Sequence, residues 1–268
     1  MIAKLHIIAA MRGSNTFLQE AYFTPPLKVA DITEDKNMGR LHLMIMSSSP
    51  GILDGDQYEL NIALGKGCAL HLHTQSYQRL FNMKGAASQS LTVHLSAASS
   101  FCFLPHPSVP HAGSVFESVN KIYLEQNCSL VFGEIVTCGR KLNGEIFLFS
   151  KYHSITEIFL EDRLVIKENL LLEPRKMNLG AIGQLEKFTH QASLIYLHPT
   201  AEITTLSKLV NEFLLQQQGI IFGISSAPVN GLVIRILGHK AEQLHHCLEQ
   251  TAEILTQQIA LKTIEHAI

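Results

Sequence analysis

The chain has 268 residues, of which 46% are hydrophobic and only 16% are Asp, Glu, Lys or Arg. This balance excludes an intrinsically disordered chain, which would combine low hydrophobicity with high charge. The formal net charge of −2 excludes a strongly basic surface, so we expect neither nucleic acid nor anionic membrane as a partner. A low charged fraction is expected of a protein that covers part of its surface with partner proteins.

The sequence carries no signal for secretion or for a membrane. No apolar run approaches the roughly 18 residues that suggest a spanning helix, and the N-terminal segment lacks a small-x-small cleavage site. We therefore expect a cytoplasmic protein. Its cysteines are odd in number and form no C-x-x-C motif, which predicts free thiols at Cys68, Cys102, Cys128, Cys138 and Cys247.

Residues 1–200 are predicted to form a mainly β scaffold. Apolar residues alternate with other residues over segments such as 41–46 and 57–64, and a period of two is typical of a half-buried strand. Asn143-Gly144 lies between two apolar segments and predicts the turn of a β-hairpin.

A faint internal repeat runs through this β region. Three segments share one form, an apolar strand, a small or polar connection and a second apolar strand: residues 61–75, 93–107 and 122–136. Aligned on Leu64, Leu95 and Leu124, the segments are spaced by 31 and 29 residues. Repeated units of this kind indicate stacked layers of strands, as in a β-solenoid or sandwich, although an ordinary meander gives the same pattern.

The last part of the chain, residues 201–268, changes period. Thr204-Thr205 is predicted to cap a helix that carries apolar residues at helical spacing and ends near Gly219. Two strands then flank a turn at residues 228–231, and a second helix is predicted over 240–264. We therefore predict a mainly β fold, a layered solenoid or sandwich-like array of short strands, with a helix–strand–strand–helix portion packed on the same body.

Histidines offer a weak metal-binding pattern. His71 and His73 lie two apart on a predicted strand, so both point to one face, and imidazole suits nickel or zinc. Local spacing supplies no third ligand, and the alternative interpretation is that both histidines simply face solvent, opposite the apolar face of Leu70 and Leu72. His106 and His111 flank a proline loop and are interpreted as exposed residues.

Three acids are more informative. Glu134 lies in a segment that is apolar on both faces, and a buried carboxylate must be paired, hydrated or protonated. One interpretation is a structural ion pair with Arg140 or Arg79. The other is a polar path or site inside an apolar body. Asp56 is predicted to point inward from the start of its strand, with Glu59 on the opposite face.

An ordered set of short motifs over about residues 20–150 resembles the UreD/UreH urease accessory family. The motifs are Phe23-Thr24-Pro25-Pro26, Ser49-Pro50-Gly51 before Gly55-Asp56, Thr74-Gln75-Ser76, Leu104-Pro105 with Pro107 and Pro110, and Glu134 with Gly139-Arg140 and Glu145. Weaker similarity extends through Leu172-Glu173-Pro174. Each motif alone is weak, but their order and spacing are specific. The proline loop departs from the family pattern by carrying histidines.

The resemblance implies a scaffold rather than an enzyme. Proteins of this family take part in nickel-enzyme maturation: they bind apo-urease and a UreF-type partner, which recruits a UreG-type GTPase. Nickel would pass transiently through a water-filled internal path, with no tightly bound cofactor. On this basis we expect Asp56, Glu59 and Glu134 to be candidates for the metal path. The candidate partner contacts are Tyr77, Pro105, His106, Pro107, Pro110 and His111.

Two other classes of function remain open at this stage. One is a carbohydrate-active or other hydrolase on a β scaffold, with Asp56 and Glu134 as paired carboxylates. The other is a self-contained metal-binding protein that uses His71 and His73. A hydrolase predicts turnover by the isolated chain and an open groove, and a metal-binding protein predicts stoichiometric metal without partners.

Overall fold

The computed structural model describes residues 1–35 and 39–265. Its strands are β1 Ile2–Arg12, β2 Asn15–Phe23, β3 Leu27–Asp31, β4 Arg40–Ser47, β5 Gln57–Leu64, β6 Ala69–Thr74, β7 Gln78–Leu80, β8 Ala87–Leu95, β9 Ser100–Phe103, β10 Ser108–Pro110, β11 Val115–Leu124, β12 Ser129–Thr137, β13 Lys151–Leu160, β14 Arg163–Leu172, β15 His190–Leu197, β16 Ile221–Ser226 and β17 Gly231–Gly238. The helices are α1 Ile203–Leu215 and α2 Ala241–Glu265, with one 3₁₀ turn at Lys141–Asn143.

Within these described ranges the strands form two mixed sheets. A seven-stranded sheet has the order β14-β13-β11-β8-β5-β1-β2, and its five central strands are parallel. A ten-stranded sheet has the order β16-β17-β15-β12-β9-β6-β4-β3, to which β10 and β7 are added beside β12. The predicted mainly β, layered fold is therefore confirmed.

The internal repeat corresponds to successive turns of a solenoid. Each copy places its first strand in the seven-stranded sheet (β5, β8, β11) and its second in the ten-stranded sheet (β6, β9, β12). Leu95 pairs in register with both Leu64 and Leu124, the three positions on which the copies align. A meander would need antiparallel neighbours, whereas these strands are parallel.

Alternating apolar side chains of the two sheets form the main core. Ile62, Val93 and Ile122 of the seven-stranded sheet are buried in the same cluster as Leu70 and Phe101 of the ten-stranded sheet. This alternation is the physical origin of the period-two pattern, because one face of each strand packs inward.

A second core lies on the outer face of the ten-stranded sheet, beneath α1 and α2. It contains Val131 of β12, Leu194 of β15 and Ile234 of β17, packed with Val210 of α1 and Leu248 of α2. Strand β12 is thus buried on both faces, and its sequence is accordingly a continuous apolar run around Glu134.

The C-terminal helices and strands lie close to their predicted positions, but the predicted N-terminal cap is wrong. Helix α1 begins at Ile203, with Glu202 before it and no capping hydrogen bond from a side chain. Thr204 and Thr205 therefore occupy the first turn. The helix ends at Leu215, before Gly219, and strands β16 and β17 pair antiparallel across the predicted turn.

The predicted hairpin at Asn143-Gly144 is also wrong. Gly144 ends the 3₁₀ turn in a left-handed conformation (φ 78°), and no strand follows it over residues 145–150. The Arg140 guanidinium pairs with the Glu145 carboxylate, which also accepts a hydrogen bond from the Ala112 amide at 3.1 Å. These contacts attach the loop to the proline loop and prevent its pairing with β12.

The cysteines agree with the expectation of free thiols. All five cysteines are free; Cys102 is partly exposed and the other four are buried. No helix in the described part of the chain is both long and apolar enough to cross a membrane.

Candidate functional site

The ten-stranded sheet is interrupted beside the middle of β12. Strand β9 pairs with β12 up to Phe132, and β10 resumes the pairing at Val136. Residues 104–107, between β9 and β10, are not part of the sheet, and neither are residues 75–77, between β6 and β7. These two neighbouring non-strand segments leave an opening in the sheet next to Glu134.

A cavity of about 270 Å³ lies between the sheets at this opening. Exposed residues line one part of it, among them Gln75, Ser76 and Arg79, and buried residues such as Phe116 and Tyr152 line another. The cavity therefore connects the surface with the interior. Much of its lining is polar, with contributions from Tyr58, Gln78, Gln89, Ser108, Ser118, Asn120, Glu134 and Tyr152.

Glu134 points into this cavity because it shares the inner face of β12 with Phe132 and Val136. Its carboxylate accepts a hydrogen bond from the Tyr152 hydroxyl at 2.7 Å. Burial raises the pKa of Glu134, and the hydrogen bond from Tyr152 partly offsets this rise. Burial and the adjacent acid raise the pKa of Tyr152 well above its usual value, so the phenol keeps its proton and donates it.

Glu134 has no ion-pair partner among the side chains that the structure describes. Arg140 pairs with Glu145 instead, and Arg79 lies exposed at the rim of the cavity. Across the side chains of residues 1–35 and 39–256, no basic group lies within ion-pair distance of the Glu134 carboxylate. The predicted structural pair with an arginine is therefore wrong, and the acid depends on a neutral donor.

Two hydroxyl groups near the cavity also lack a protein partner among the described residues. The buried Tyr58 hydroxyl lies near Ser47 and Ser49 but makes no hydrogen bond of ordinary geometry. The buried Ser154 hydroxyl lies in the same way near the Glu134 carboxyl. Buried polar groups of this kind are commonly satisfied by water, which agrees with a hydrated cavity.

The structure does not bring the three candidate acids together. Asp56 is buried, accepts a hydrogen bond from the Leu53 amide at 2.9 Å and pairs with the amino group of Met1 at 3.3 Å. Glu59 lies on the surface, 3.3 Å from Lys4. Neither lines the cavity of Glu134, so the paired carboxylates that a hydrolase would need are not assembled.

The candidate partner contacts fall into two groups, one buried and one partly exposed. Pro107, Pro110 and His111 are buried within the chain, so the interpretation of His111 as an exposed loop residue is wrong. Tyr77, Pro105 and His106 are partly exposed and line the mouth of the cavity. His106 is held in place: its backbone amide donates to Thr74 Oγ1 at 2.9 Å, and its ring stacks on His245 at 4.7 Å.

His71 and His73 point to one face of β6, as predicted, and the structure adds a third histidine. His42 on the adjacent strand β4 is paired in register with His71. One ring nitrogen from each of the three lies within 4.8 Å of the others. Sequence reasoning missed His42 because 29 residues separate it from His71, and only the strand pairing brings them together.

Sequence reasoning also missed Tyr152 and the pair Gln78 and Gln89. The two glutamines meet across the cavity, where the Gln78 amide donates to Gln89 Oε1 at 2.7 Å. The sequence does contain a signal for Gln89. It is a polar residue on the inward face of β8, where its neighbours Ala87 and Leu91 are apolar and buried.

A second cavity, of about 700 Å³, lies on the other side of Tyr77 and Arg79. It is lined by several basic side chains, among them Arg140, Lys141 and His190. Burial, with Lys141 and His239 nearby, lowers the pKa of His190 to about 4. The imidazole is therefore neutral at pH 7. The charged residues in the lining of this cavity are the basic Arg79, Arg140, Lys141 and Lys240 and the acidic Glu242.

Comparison with known proteins gives consistent results along the whole chain. A family model described as UreD urease accessory protein matches residues 1–266. A protein of Flavobacterium johnsoniae named Urease accessory protein UreD is 45% identical over 251 residues, which cover 93% of this chain and 91% of that protein. Proteins of the same name from Acetivibrio thermocellus and Haemophilus influenzae are 35% and 36% identical, covering 94% and 95% of this chain and 97% and 99% of their own.

Proposed function

Because the chain belongs to the UreD urease accessory protein family, we propose that it is a maturation scaffold that helps deliver nickel to apo-urease. In this role it binds apo-urease subunits and a UreF-type accessory protein, which brings a UreG-type GTPase. Nickel is cargo that the chain passes on, and the urease partner performs the catalysis.

The observation that supports nickel passage is the polar cavity, whose acid has no cation partner among the described side chains. A divalent ion in a low-dielectric interior needs oxygen ligands and negative charge to lower the electrostatic barrier. Glu134 offers a carboxylate inside the cavity, surrounded by hydroxyl and amide groups. A pathway must also release its ion, which favours a few weak ligands over a closed site.

The mouth of the cavity offers a place for partner contact. Tyr77, Pro105 and His106 are partly exposed there, and the exposed polar residues Gln75 and Ser76 lie beside them. A partner that docks on this surface would cover the opening and continue the path into its own structure. Aromatic and proline side chains held in fixed positions suit such an interface.

The test is Glu134→Gln in a urease activation assay with all partners present. We expect the variant to fold, to form the same complexes and to activate urease less, because the amide keeps the shape but removes the charge. The matched control is Glu157→Gln, an acid on β13 that pairs with Lys167 at 2.8 Å on the outside of the fold. We expect full activation with this control.

Melting temperature and complex formation are measured beside urease activity. Burial raises the pKa of Glu134, so ionisation of this acid opposes folding, and the amide should melt at the same or a higher temperature at pH 7. Full activation by a folded Glu134→Gln variant would contradict the path. So would a loss of activation that merely follows a loss of folding.

A further inference from the structure

Three histidines form a cluster on the outer face of the ten-stranded sheet, opposite the main core between the sheets. Leu41, Leu43, Leu70 and Leu72 occupy the inward positions of β4 and β6, which leaves His42, His71 and His73 facing outward. All three histidines are partly exposed, so an ion in solution has access to them. The cluster is separate from Glu134 and its cavity.

The ring nitrogens are arranged at distances close to those of metal ligands. His42 Nδ1 and His73 Nε2 are 3.3 Å apart, and the set of three nitrogens spans at most 4.8 Å. Imidazole nitrogens bind zinc at about 2.0–2.1 Å, which places two tetrahedral ligands about 3.3–3.4 Å from one another. His42 and His73 already have this spacing, and a bound ion would draw the third nitrogen to a similar distance.

We propose that His42, His71 and His73 bind one divalent transition-metal ion of the class that prefers imidazole, such as Ni²⁺, Zn²⁺ or Cu²⁺. Three protein ligands leave at least one coordination position for water, so the bound ion can exchange. The proposal does not rest on the cavity or on the role of Glu134. It adds His42 as the third ligand that local spacing in the sequence did not supply.

Charged groups of both signs lie around the cluster. Glu249 of α2 lies near His73 and contributes negative charge, whereas Arg40 lies near His71 and opposes a cation. Imidazole binds a metal in its neutral form.

The proposal is tested by equilibrium dialysis of the metal-free full-length chain against NiCl₂ and, separately, ZnCl₂. We expect one saturable site per chain, and a loss of affinity of at least about tenfold in each of His42→Gln, His71→Gln and His73→Gln, because even loss of an outer-shell partner costs about that much. The matched control is His94→Gln, an exposed histidine on strand β8. It should bind the metal as the unmodified chain does.

Equal affinity in His71→Gln and the unmodified chain would overturn the proposal, as would an equal loss in the His94→Gln control. Either result would mean that the three rings only pack against one another and form hydrogen bonds. The 3.9 Å separation of the His71 and His73 ring centroids is also compatible with such packing. If a variant fails to fold, electron paramagnetic resonance of Cu²⁺ on the unmodified chain decides. We expect hyperfine coupling from more than one imidazole nitrogen, and its absence would contradict the site.

Discussion

Glu134 and Tyr152 form the polar centre of the interior, and each depends on the other. The phenol satisfies a carboxylate that would otherwise face only the cavity, and the two lie on facing sheets. We expect Tyr152→Phe to lower the free energy of unfolding by about 1–3 kcal/mol, because it leaves a buried acceptor without its donor. Urea denaturation measures this change.

The control for this variant is Tyr123→Phe, which removes a hydroxyl group and keeps the ring stacked on His94 on the outside of the seven-stranded sheet. We expect a change within about 0.5 kcal/mol for a surface position of this kind. Equal losses of unfolding free energy in the two variants would show that the Glu134–Tyr152 hydrogen bond contributes no more to stability than a surface hydroxyl group.

His190 provides a test of pH dependence at a single residue. Its pKa is about 4 in the folded chain, against 6.5 for an unperturbed histidine. Between these values the unfolded chain binds the extra proton, so the contribution of His190 to stability falls as the pH is lowered from about 6.5 to about 4. Glu134 acts in the opposite sense in an overlapping range, because its pKa is raised.

The comparison of the unmodified chain with His190→Gln isolates this effect. Melting temperatures are measured at several pH values, and we expect the advantage of the unmodified chain to shrink as the solution becomes more acidic. Lys141 and His239 are the charged or titratable groups that act on His190, and both are kept in the variant. A difference in melting temperature between the two proteins that does not change with pH would contradict a lowered pKa of His190 in the folded chain.

At the scale of elements, the opening in the ten-stranded sheet depends on how residues 104–107 pass over β12. Gly133 leaves room for this passage: a Cβ there would lie 2.6 Å from Leu104 Cδ2 and 3.1 Å from Leu248 Cδ1, so these buried leucine side chains would have to shift. We expect Gly133→Ala to lower the free energy of unfolding by about 1–3 kcal/mol through overpacking between the sheet and α2.

Gly223→Ala is the matched control for this prediction. Gly223 lies on the edge strand β16, and a Cβ there would meet nothing within 4 Å. We expect this substitution to be neutral or slightly stabilising, because alanine loses less backbone entropy on folding. Urea denaturation of both variants is the measurement, and equal midpoints would mean that Gly133 is not required for packing.

The polar surface of the cavity belongs to a row that crosses several strands. Asn120 of β11 donates to Thr156 of β13 at 3.0 Å, and Thr156 is paired in register with Glu168 of β14. Glu168 in turn pairs with Arg235 of β17 at 2.5 Å, on the other sheet. Polar residues thus extend from the cavity to the edge of the sandwich, where they join the two sheets.

At the scale of the whole molecule, the surface has few charges and several exposed apolar side chains. Only 16% of the residues are charged, and the mean hydropathy is +0.15. Leu142, Ile146 and Leu148 are exposed in the loop that follows β12, and Ile182 is almost fully exposed. Such side chains in water favour association unless a partner covers them.

We therefore expect co-expression with a UreF-type protein to raise the soluble yield of this chain. A partner that binds only the folded chain adds its binding free energy to the apparent stability. The measurement is the amount of monodisperse protein with and without the partner, at equal expression. Equal yields in both conditions would argue against a partner-dependent surface.

The amino-acid sequence by itself determined the class of fold and the places of its main elements. Alternating residues predicted the strands, the aligned positions Leu64, Leu95 and Leu124 indicated stacked turns, and helical spacing predicted the last two helices. These features depend on residues close in sequence or on a regular repeat. The ordered motifs likewise predicted the family, and the relatives confirm it.

Only the tertiary structure decided how distant residues meet. It placed Tyr152 rather than an arginine beside Glu134, it moved Asp56 to a separate pair with the amino group of Met1, and it brought His42 to His71. For the histidines the physical reason is that each solenoid turn aligns residues about thirty positions apart, so their contact follows from the register of the strands. Glu134 and Tyr152 meet across the two facing sheets, and Asp56 meets Met1 where β1 begins beside β5. Loop contacts such as Arg140–Glu145 are equally specific to the folded chain, and they replaced the hairpin that local turn residues predicted.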